Sequence, residues 1–379
     1  MAAARGVQRF VVGTRFAVEG RVDTAFYPGN NIPMNSELKA CLPPEWTSAA
    51  ESDDADVVDF APIAVGQSGA SVHRVTTRHG AFVLKRTSVQ EPLATWTLAV
   101  AVQRAAAEVG AAPQVVHHDA ERRAVLSELI AGDIPFAARY GNPATRAAAL
   151  AQFAGTIRRV HDLPLEGPLH AMPRADPQAV LRTVHHAAHD IGALPAWVHA
   201  HVHALLEEAP PLTDRAPVLS HNDVNPTNIA CAGDRLVLLD WQSAAINDPY
   251  YDLATAAVFL RMDADASAAL LWAYDQATDR QDIESVDRST IAMLPPRFVW
   301  SQRIAAALSG TLFLQMAHHR GHRGDTTSRE DDALLLEQVY AQMRAGTVHL
   351  HTGEGQWTLG LALLRASRNA RHAQDVRNT

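Results

Sequence analysis

Asp223 and Asn228 stand five residues apart in Ser220-His221-Asn222-Asp223-Val224-Asn225-Pro226-Thr227-Asn228, after the apolar lead-in Val218-Leu219. A second carboxylate, Asp240, follows the apolar run Leu236-Val237-Leu238-Leu239. Such a set suits phosphoryl transfer: one carboxylate orients a hydroxyl and accepts its proton, and oxygen ligands hold Mg²⁺ on the phosphates. One Asp and one Asn oxygen are a normal protein share for Mg²⁺, a hard ion that keeps several of its waters. Singly, each residue is also what a turn uses, and His221 reads as a buried polar brace. The joint spacing is what points to chemistry.

Upstream, Gly66-Gln67-Ser68-Gly69-Ala70-Ser71 is a turn of small residues between two strand-like runs. Backbone N–H groups in such a turn can approach an anion closely, and serine hydroxyls add donors. A strand–glycine–strand turn is in most cases a plain hairpin. Here, however, Lys85 ends Phe82-Val83-Leu84-Lys85, 16 residues after Gly69, where a strand ammonium reaches phosphates covered by the hairpin. Of 33 basic residues only Lys39 and Lys85 are lysines. A lysine kept in an arginine background marks a place where a compact ammonium is wanted rather than a planar fork. Lys85 has the neighbourhood for that; Lys39 lies in a motif-free helical start.

The elements that must position these groups follow from period and punctuation. Residues 57–65, 71–77, 81–86, 114–118 and 123–129 read as strands separated by Gly-containing turns. A helix is expected over 92–109, with Pro92 in its first turn and Gly110 past its end. Helices are further expected from Asn142, as N-cap, to His161, over 177–191 and 195–208, and from Tyr250 onward, including 297–318 and 329–344. A small β insert, 218–239, interrupts them. The expected fold is α+β and two-lobed: a small five-stranded β lobe with one helix, then a larger, mainly helical lobe. The domain lines fall at 1–56 (extension and acidic linker, partly disordered), 57–131 (nucleotide-binding lobe) and 132–379 (catalytic and substrate-binding lobe).

These motifs resemble the aminoglycoside phosphotransferase and choline kinase family, small-molecule kinases related to the protein kinase fold. Gly66–Val75 (GQSGASVHRV) and Phe82–Arg86 (FVLKR) are similar to the nucleotide loop and lysine strand of the aminoglycoside phosphotransferases. His221–Asn228 (HNDVNPTN), Leu238–Gln242 (LLDWQ) and Asn247–Ala254 (NDPYYDLA) resemble the choline kinase side. The likeness runs over residues 58–262. It implies Asp223 as catalytic base, Asn228 and Asp240 as Mg²⁺ ligands, and Lys85 on the α/β-phosphates of ATP. It also implies Ser68, Gly69, Ala70 and Ser71 over the phosphates, and Glu128 and Ile130 offering backbone groups to adenine. His221 and Asp252 would brace the catalytic loop.

Three departures stand out. The usual partner of such a lysine is a helix Glu, yet residues 92–109 offer Gln103 and only the terminal Glu108, with Glu91 just before. Asp240-Trp241-Gln242 stands where choline kinases tend to have Asp-Trp-Glu, removing a carboxylate that suits a cationic acceptor. Only seven residues separate Asp240 from Asp248, too few for a peptide-binding activation segment, so the acceptor is expected to be a small hydroxyl compound. The competing reading is a catalytically degenerate, kinase-like nucleotide-binding protein.

Composition narrows the rest. At 47% hydrophobic and 20% charged the chain can bury a large core. A net charge of −8 argues against a nucleic-acid partner. The apolar runs are too short and interrupted for a membrane span, and no secretory signal is read. Two cysteines, Cys41 and Cys231, make no disulfide framework and fit a cytoplasmic location. His185, His186 and His189, with His199, His201 and His203, include i,i+4 pairs able to share a metal, though exposed helix faces account for them as well. Trp241, Tyr250, Tyr251, Trp272, Tyr274 and Trp300 are core candidates that could include an aromatic cage for an alkylammonium group.

Overall fold

The computed structural model describes residues 32–47, 59–63, 70–132, 134–213, 215–277 and 293–375. In chain order the elements begin with α1 (Ile32–Lys39), α2 (Pro44–Thr47), β1 (Asp59–Pro62), β2 (Ser71–Thr77), β3 (Gly80–Arg86), α3 (Leu93–Glu108), β4 (Val115–Asp119) and β5 (Ala124–Glu128). Next come α4 (Phe136–Gly141), α5 (Arg146–His161), α6 (Pro177–Asp190), α7 (Ala196–Glu207), β6 (Val218–Ser220), β7 (Ile229–Ala232) and β8 (Arg235–Leu238). The chain continues through β9 (Ala245–Asn247), α8 (Pro249–Phe259), α9 (Ala264–Gln276), α10 (Pro296–His319), α11 (Leu336–Arg344) and α12 (Gly353–Asp375). Among the described residues these form two compact units: a sheet unit of residues 32–172 and 226–244, and a helical unit of residues 173–225 and 245–375.

In the sheet unit, five antiparallel strands run in the order β1-β2-β3-β5-β4. Their period of two sends Val75, Leu84, Ala124 and Leu126 to one face, where they pack on Leu38, Cys41 and Leu42. Leu38, Cys41 and Leu42 follow a helical i, i+3, i+4 spacing, which brings all three onto this face of the sheet. Each buried leucine there contributes on the order of 2 kcal/mol. Lys39 sits between them on the exposed side. The opposite face carries Val125, covered by Trp96 and Val100 of α3.

The end of α3 sets the position of the second half of the site. Gly110, at φ 72, takes the left-handed conformation that a side chain resists, and the last turn closes by Gly110 N–H to Ala107 O (3.0 Å) and Ala111 N–H to Ala106 O (2.8 Å). Ala111 O then accepts the amide of Leu238 at 2.8 Å, docking the β7–β8 hairpin against the end of α3.

The helical unit is built round α10, whose Trp300, Ile304, Leu308 and Leu314 share one core with Leu181 of α6, Val198 and Leu205 of α7 and Leu361 of α12. Gly310 and Gly360 face each other across α10 and α12. A Cβ on Gly310 would come to 2.7 Å from Leu364 Cγ and 2.8 Å from Gly360 O. In this unit β6 pairs with β9, a strand of three residues, too short for a period of two to show in the sequence.

Two expected helix starts shift. Asn142 Oδ1 accepts from Ala144 N (3.0 Å) in a separate turn, and α5 starts only at Arg146. The helix expected over 329–344 is broken. Asp332 Oδ2 caps Arg329 N (2.7 Å) in a single 3-10 turn, Gln338 Oε1 caps Leu335 N (2.8 Å), and α11 begins at Leu336.

Candidate active site

In the sheet unit, the register of β7 and β8 pairs Ile229 with Leu238. That register puts Asn228 beside Leu239, whose amide donates to Asn228 O at 2.8 Å, with Asp240 the next residue along. The backbone of Asp240 turns sharply, at φ 67 and ψ 72, a region an Asp tolerates better than most side chains. Trp241 secures the turn, its indole N–H donating to Leu238 O at 3.0 Å. Strain held at one carboxylate by packed neighbours is what functional sites display.

Lys85 reaches this turn from β3. Its Nζ lies 2.7 Å from Asp240 Oδ1 and 3.3 Å from Gln242 Oε1. The side chains of Lys85 and Asp240 are 21% and 6% exposed, so the pair is largely shielded from water. α3 supplies no acceptor to Lys85, whose Nζ donates, among the described residues, to Asp240 and Gln242 alone; Gln103 of α3 points its Nε2 at Ser127 Oγ (3.1 Å) and Pro113 O (3.3 Å). Lys85, Asp240 and Gln242 line a cavity of about 250 Å³ whose apolar walls include Val72, Val83, Val125, Trp96 and Val100. Glu128 and Ile130 stand on the same wall. The carboxylate of Glu128 pairs with Arg235 Nη1 at 2.6 Å, while its amide donates to Gln114 O at 2.9 Å. Ile130 O accepts from Gly132 N at 2.9 Å. Of the glycine turn, Ala70 is half-buried and Ser71 opens β2 on its exposed side, whereas Ser68 and Gly69 lie outside the described residues.

Asn228 and Asp240, brought together through the Leu239 amide, offer one amide and one carboxylate oxygen. Both are hard donors, and the set fits Mg²⁺.

In the helical unit the loop after β6 is held from below. Asp252, fully buried in α8, accepts the amides of His221 and Asn222, each at 2.7 Å. Asn222 sits at φ 63, and its Oδ1 accepts from Asn247 Nδ2 at 2.7 Å. Asp223 follows, 5% exposed, with its amide on His221 Nδ1 (3.3 Å) and its Oδ1 receiving Asn225 Nδ2 (3.0 Å). The loop therefore presents one carboxylate oriented by its own neighbours. Burial, with Asp252 and Asp223 close by, pushes the Tyr251 phenol far above its ordinary range. Sequence reasoning missed Asn225 and Asn247 as orienting groups, although both stand inside the quoted motifs.

A family model described as a phosphotransferase enzyme family matches residues 59–287. The chain belongs to this phosphotransferase family. The curated Protein LicA of Haemophilus influenzae is 35% identical over 60 residues, which is 16% of this chain and 22% of LicA. The chain thus matches about a fifth of that relative's length. Among solved structures, a choline/ethanolamine kinase family protein from Mesorhizobium loti aligns at TM-score 0.53 and 19% identity, over 88% of this chain and 99% of that one. A choline kinase from Cryptosporidium parvum aligns at TM-score 0.62 and 9% identity, over 91% and 96%. These likenesses establish the kinase-like fold, a five-stranded antiparallel sheet followed by a mainly helical part.

Other features of this phosphotransferase are accounted for structurally. His185 Nε2 and His199 Nδ1 lie 3.1 Å apart, and His199 also stacks on His189 at 4.3 Å, so these rings partner one another. Among the described residues no three His, Cys, Asp or Glu side chains converge to hold a metal ion. Burial, reinforced by His199 and the neighbouring histidines, pushes His185 down to about 4. Two of the aromatic faces carry guanidinium groups. Arg215 lies over Tyr250 at 4.7 Å, held by both oxygens of Asp275 (2.7 and 2.9 Å). Arg297 lies over Trp300 at 4.7 Å and pairs with Asp248 at 2.8 Å. A larger cavity of about 540 Å³, walled by α8–α12, contains none of the expected site residues. Cys41 and Cys231 are both buried and unbridged. No described helix is long and apolar enough to cross a membrane.

Proposed function

We propose that this chain moves the γ-phosphoryl group of ATP to a hydroxyl of a small molecule, an amino alcohol such as choline or an amino sugar such as an aminoglycoside. The observation that carries the reading is Lys85 Nζ at 2.7 Å from Asp240 Oδ1 on the wall of an apolar cavity, with Asn228 bonded into the same hairpin. Adenine would rest against Val72 and Val83, with the backbone of Glu128 and Ile130 as its hydrogen-bonding edge. The segment Ser68–Ser71 would cover the phosphates, and Lys85 would neutralise their α/β oxygens.

Asp223 would orient the acceptor hydroxyl and take its proton as the new O–P bond forms. The bond from the γ-phosphorus to the bridging oxygen breaks and ADP leaves with that electron pair. Asn225 fixes Asp223 Oδ1, and Asp252 fixes the backbone ahead of it, so the base is held in position before the acceptor arrives. When bound, Mg²⁺ on Asn228 and Asp240 would supply charge neutralisation on the phosphate oxygens.

The kinship with choline kinases supports an amino alcohol, while Gln242 and the occupied faces of Tyr250 and Trp300 favour an acceptor that carries its charge elsewhere. A second reading, a nucleotide-binding protein without turnover, draws on the lack of a helix carboxylate at Lys85. ADP release screened over amino alcohols, amino sugars, macrolides and nucleosides separates the two. Acceptor-dependent release that disappears in Asp223→Ala supports the kinase. ATP binding with the same background release in both proteins, for every acceptor, supports the second reading.

A further inference from the structure

We infer that Gln242 is the positioning residue for Lys85, standing in for the helix carboxylate this chain lacks and holding the ammonium in place when a metal ion draws on Asp240. The inference rests on the nucleotide reading above and adds to it a role for the glutamine that stands where choline kinases tend to have a glutamate.

The geometry is specific. Lys85 Nζ has two side-chain acceptors, Asp240 Oδ1 at 2.7 Å and Gln242 Oε1 at 3.3 Å. Both come from the segment after β8, 155 and 157 residues further along the chain. α3 has no acid in its interior, and its Gln103, on the cavity wall, is not among the acceptors of Lys85 Nζ; its Nε2 is turned to Ser127 Oγ and Pro113 O. Gln242 itself is placed firmly, in the 3-10 turn Trp241–Ser243 that the Trp241 indole anchors to Leu238 O.

The amide chemistry matches the task. A divalent ion on Asp240 competes with Lys85 for the same carboxylate and repels the ammonium. Gln242 Oε1 is neutral, so it accepts from Nζ without adding a second anion that would attract the metal. A glutamate there would hold the lysine as well but would alter the charge balance at the ion. The structure thus gives a physical reason for glutamine at this position.

Because Lys39 is the only other lysine and is exposed, amine acylation followed by mass spectrometry gives a ratio with an internal standard. In the full chain, Gln242→Ala is expected to raise Lys85 acylation relative to Lys39 about three- to tenfold, the net worth of one ordinary hydrogen bond, since the contact is long at 3.3 Å. Gln242→Glu should restore the protection. Mg·ATP affinity should fall by a similar factor in Gln242→Ala, and that loss should vanish in a Lys85→Met background. An unchanged acylation ratio overturns the inference, as does an affinity loss of equal size in the Lys85→Met background, which would mark a merely structural role. A raised ratio in a protein that binds no Mg·ATP upholds the Lys85–Gln242 contact and overturns the nucleotide reading instead.

Discussion

The amide of Leu239 donates to the carbonyl of Asn228 over 2.8 Å, closing the β7–β8 pair one residue beyond its register. By that bond a loop amide and a strand-end carboxylate become neighbours, and Lys85 reaches the same carboxylate from the five-stranded sheet. The fold thus gathers an ammonium, a carboxylate and an amide oxygen on a hairpin positioned by the end of α3.

Lys85→Arg should weaken Mg·ATP binding about tenfold or more. A guanidinium is wider than an ammonium and cannot place one nitrogen between Asp240 Oδ1 and Gln242 Oε1 in a cavity of about 250 Å³. Calorimetric titration checks this. Equal affinity would mean that the scarcity of lysine in this chain reflects composition alone.

Asp252→Ala should cost about 3 kcal/mol of stability, because it leaves the buried amide of His221 and the half-buried amide of Asn222 without their acceptor. Urea unfolding measures the loss. Asp252→Asn, which keeps one acceptor oxygen, should fall between the variant and the wild type.

Gly310→Ala should destabilise by about 1–3 kcal/mol, since its Cβ would press on Leu364 and on the backbone of Gly360. Gly155→Ala, in α5, meets nothing nearer than Arg159 Nη1 at 3.8 Å and should stabilise by about 0.5–1 kcal/mol. Thermal melts of the two variants should move in opposite directions.

Stability should fall on acidification below pH 6.5. His185 is held neutral in the folded protein, with its pKa down at about 4 from an ordinary 6.5. Between those values the unfolded chain takes up a proton that the folded one refuses, so stability is full above pH 6.5 and declines toward pH 4, by on the order of 3 kcal/mol. Melting temperatures across this range test it, and His185→Leu should flatten the slope.

The candidate site residues Asp223, Asn228 and Asp240 could be singled out in the sequence because their pattern is local, a spacing within twenty residues of chain. The five strands and α3 were legible through period and punctuation. What stayed hidden depends on contacts between distant residues. Gln242 meets Lys85 across 157 positions and Arg235 meets Glu128 across 107, and neither pairing leaves a local pattern. The packing of Leu38, Cys41 and Leu42 on the sheet was hidden by their position beside an acidic linker, in a stretch without motifs. The start of α11 was misplaced because Asp332 and Gln338, ordinary helix residues in a periodic reading, act here as caps.

The fate of the γ-phosphoryl group tests the central claim most directly. The protein would be incubated with Mg²⁺ and ATP carrying heavy oxygen in its γ-phosphoryl group, over a panel of amino alcohols and amino sugars, and the panel read by mass spectrometry. The account predicts labelled phosphate on the hydroxyl of a panel compound, with transfer reduced about a hundredfold or more in Asp223→Asn. Label found only in ATP and free phosphate, or transferred equally well by the variant, would contradict it.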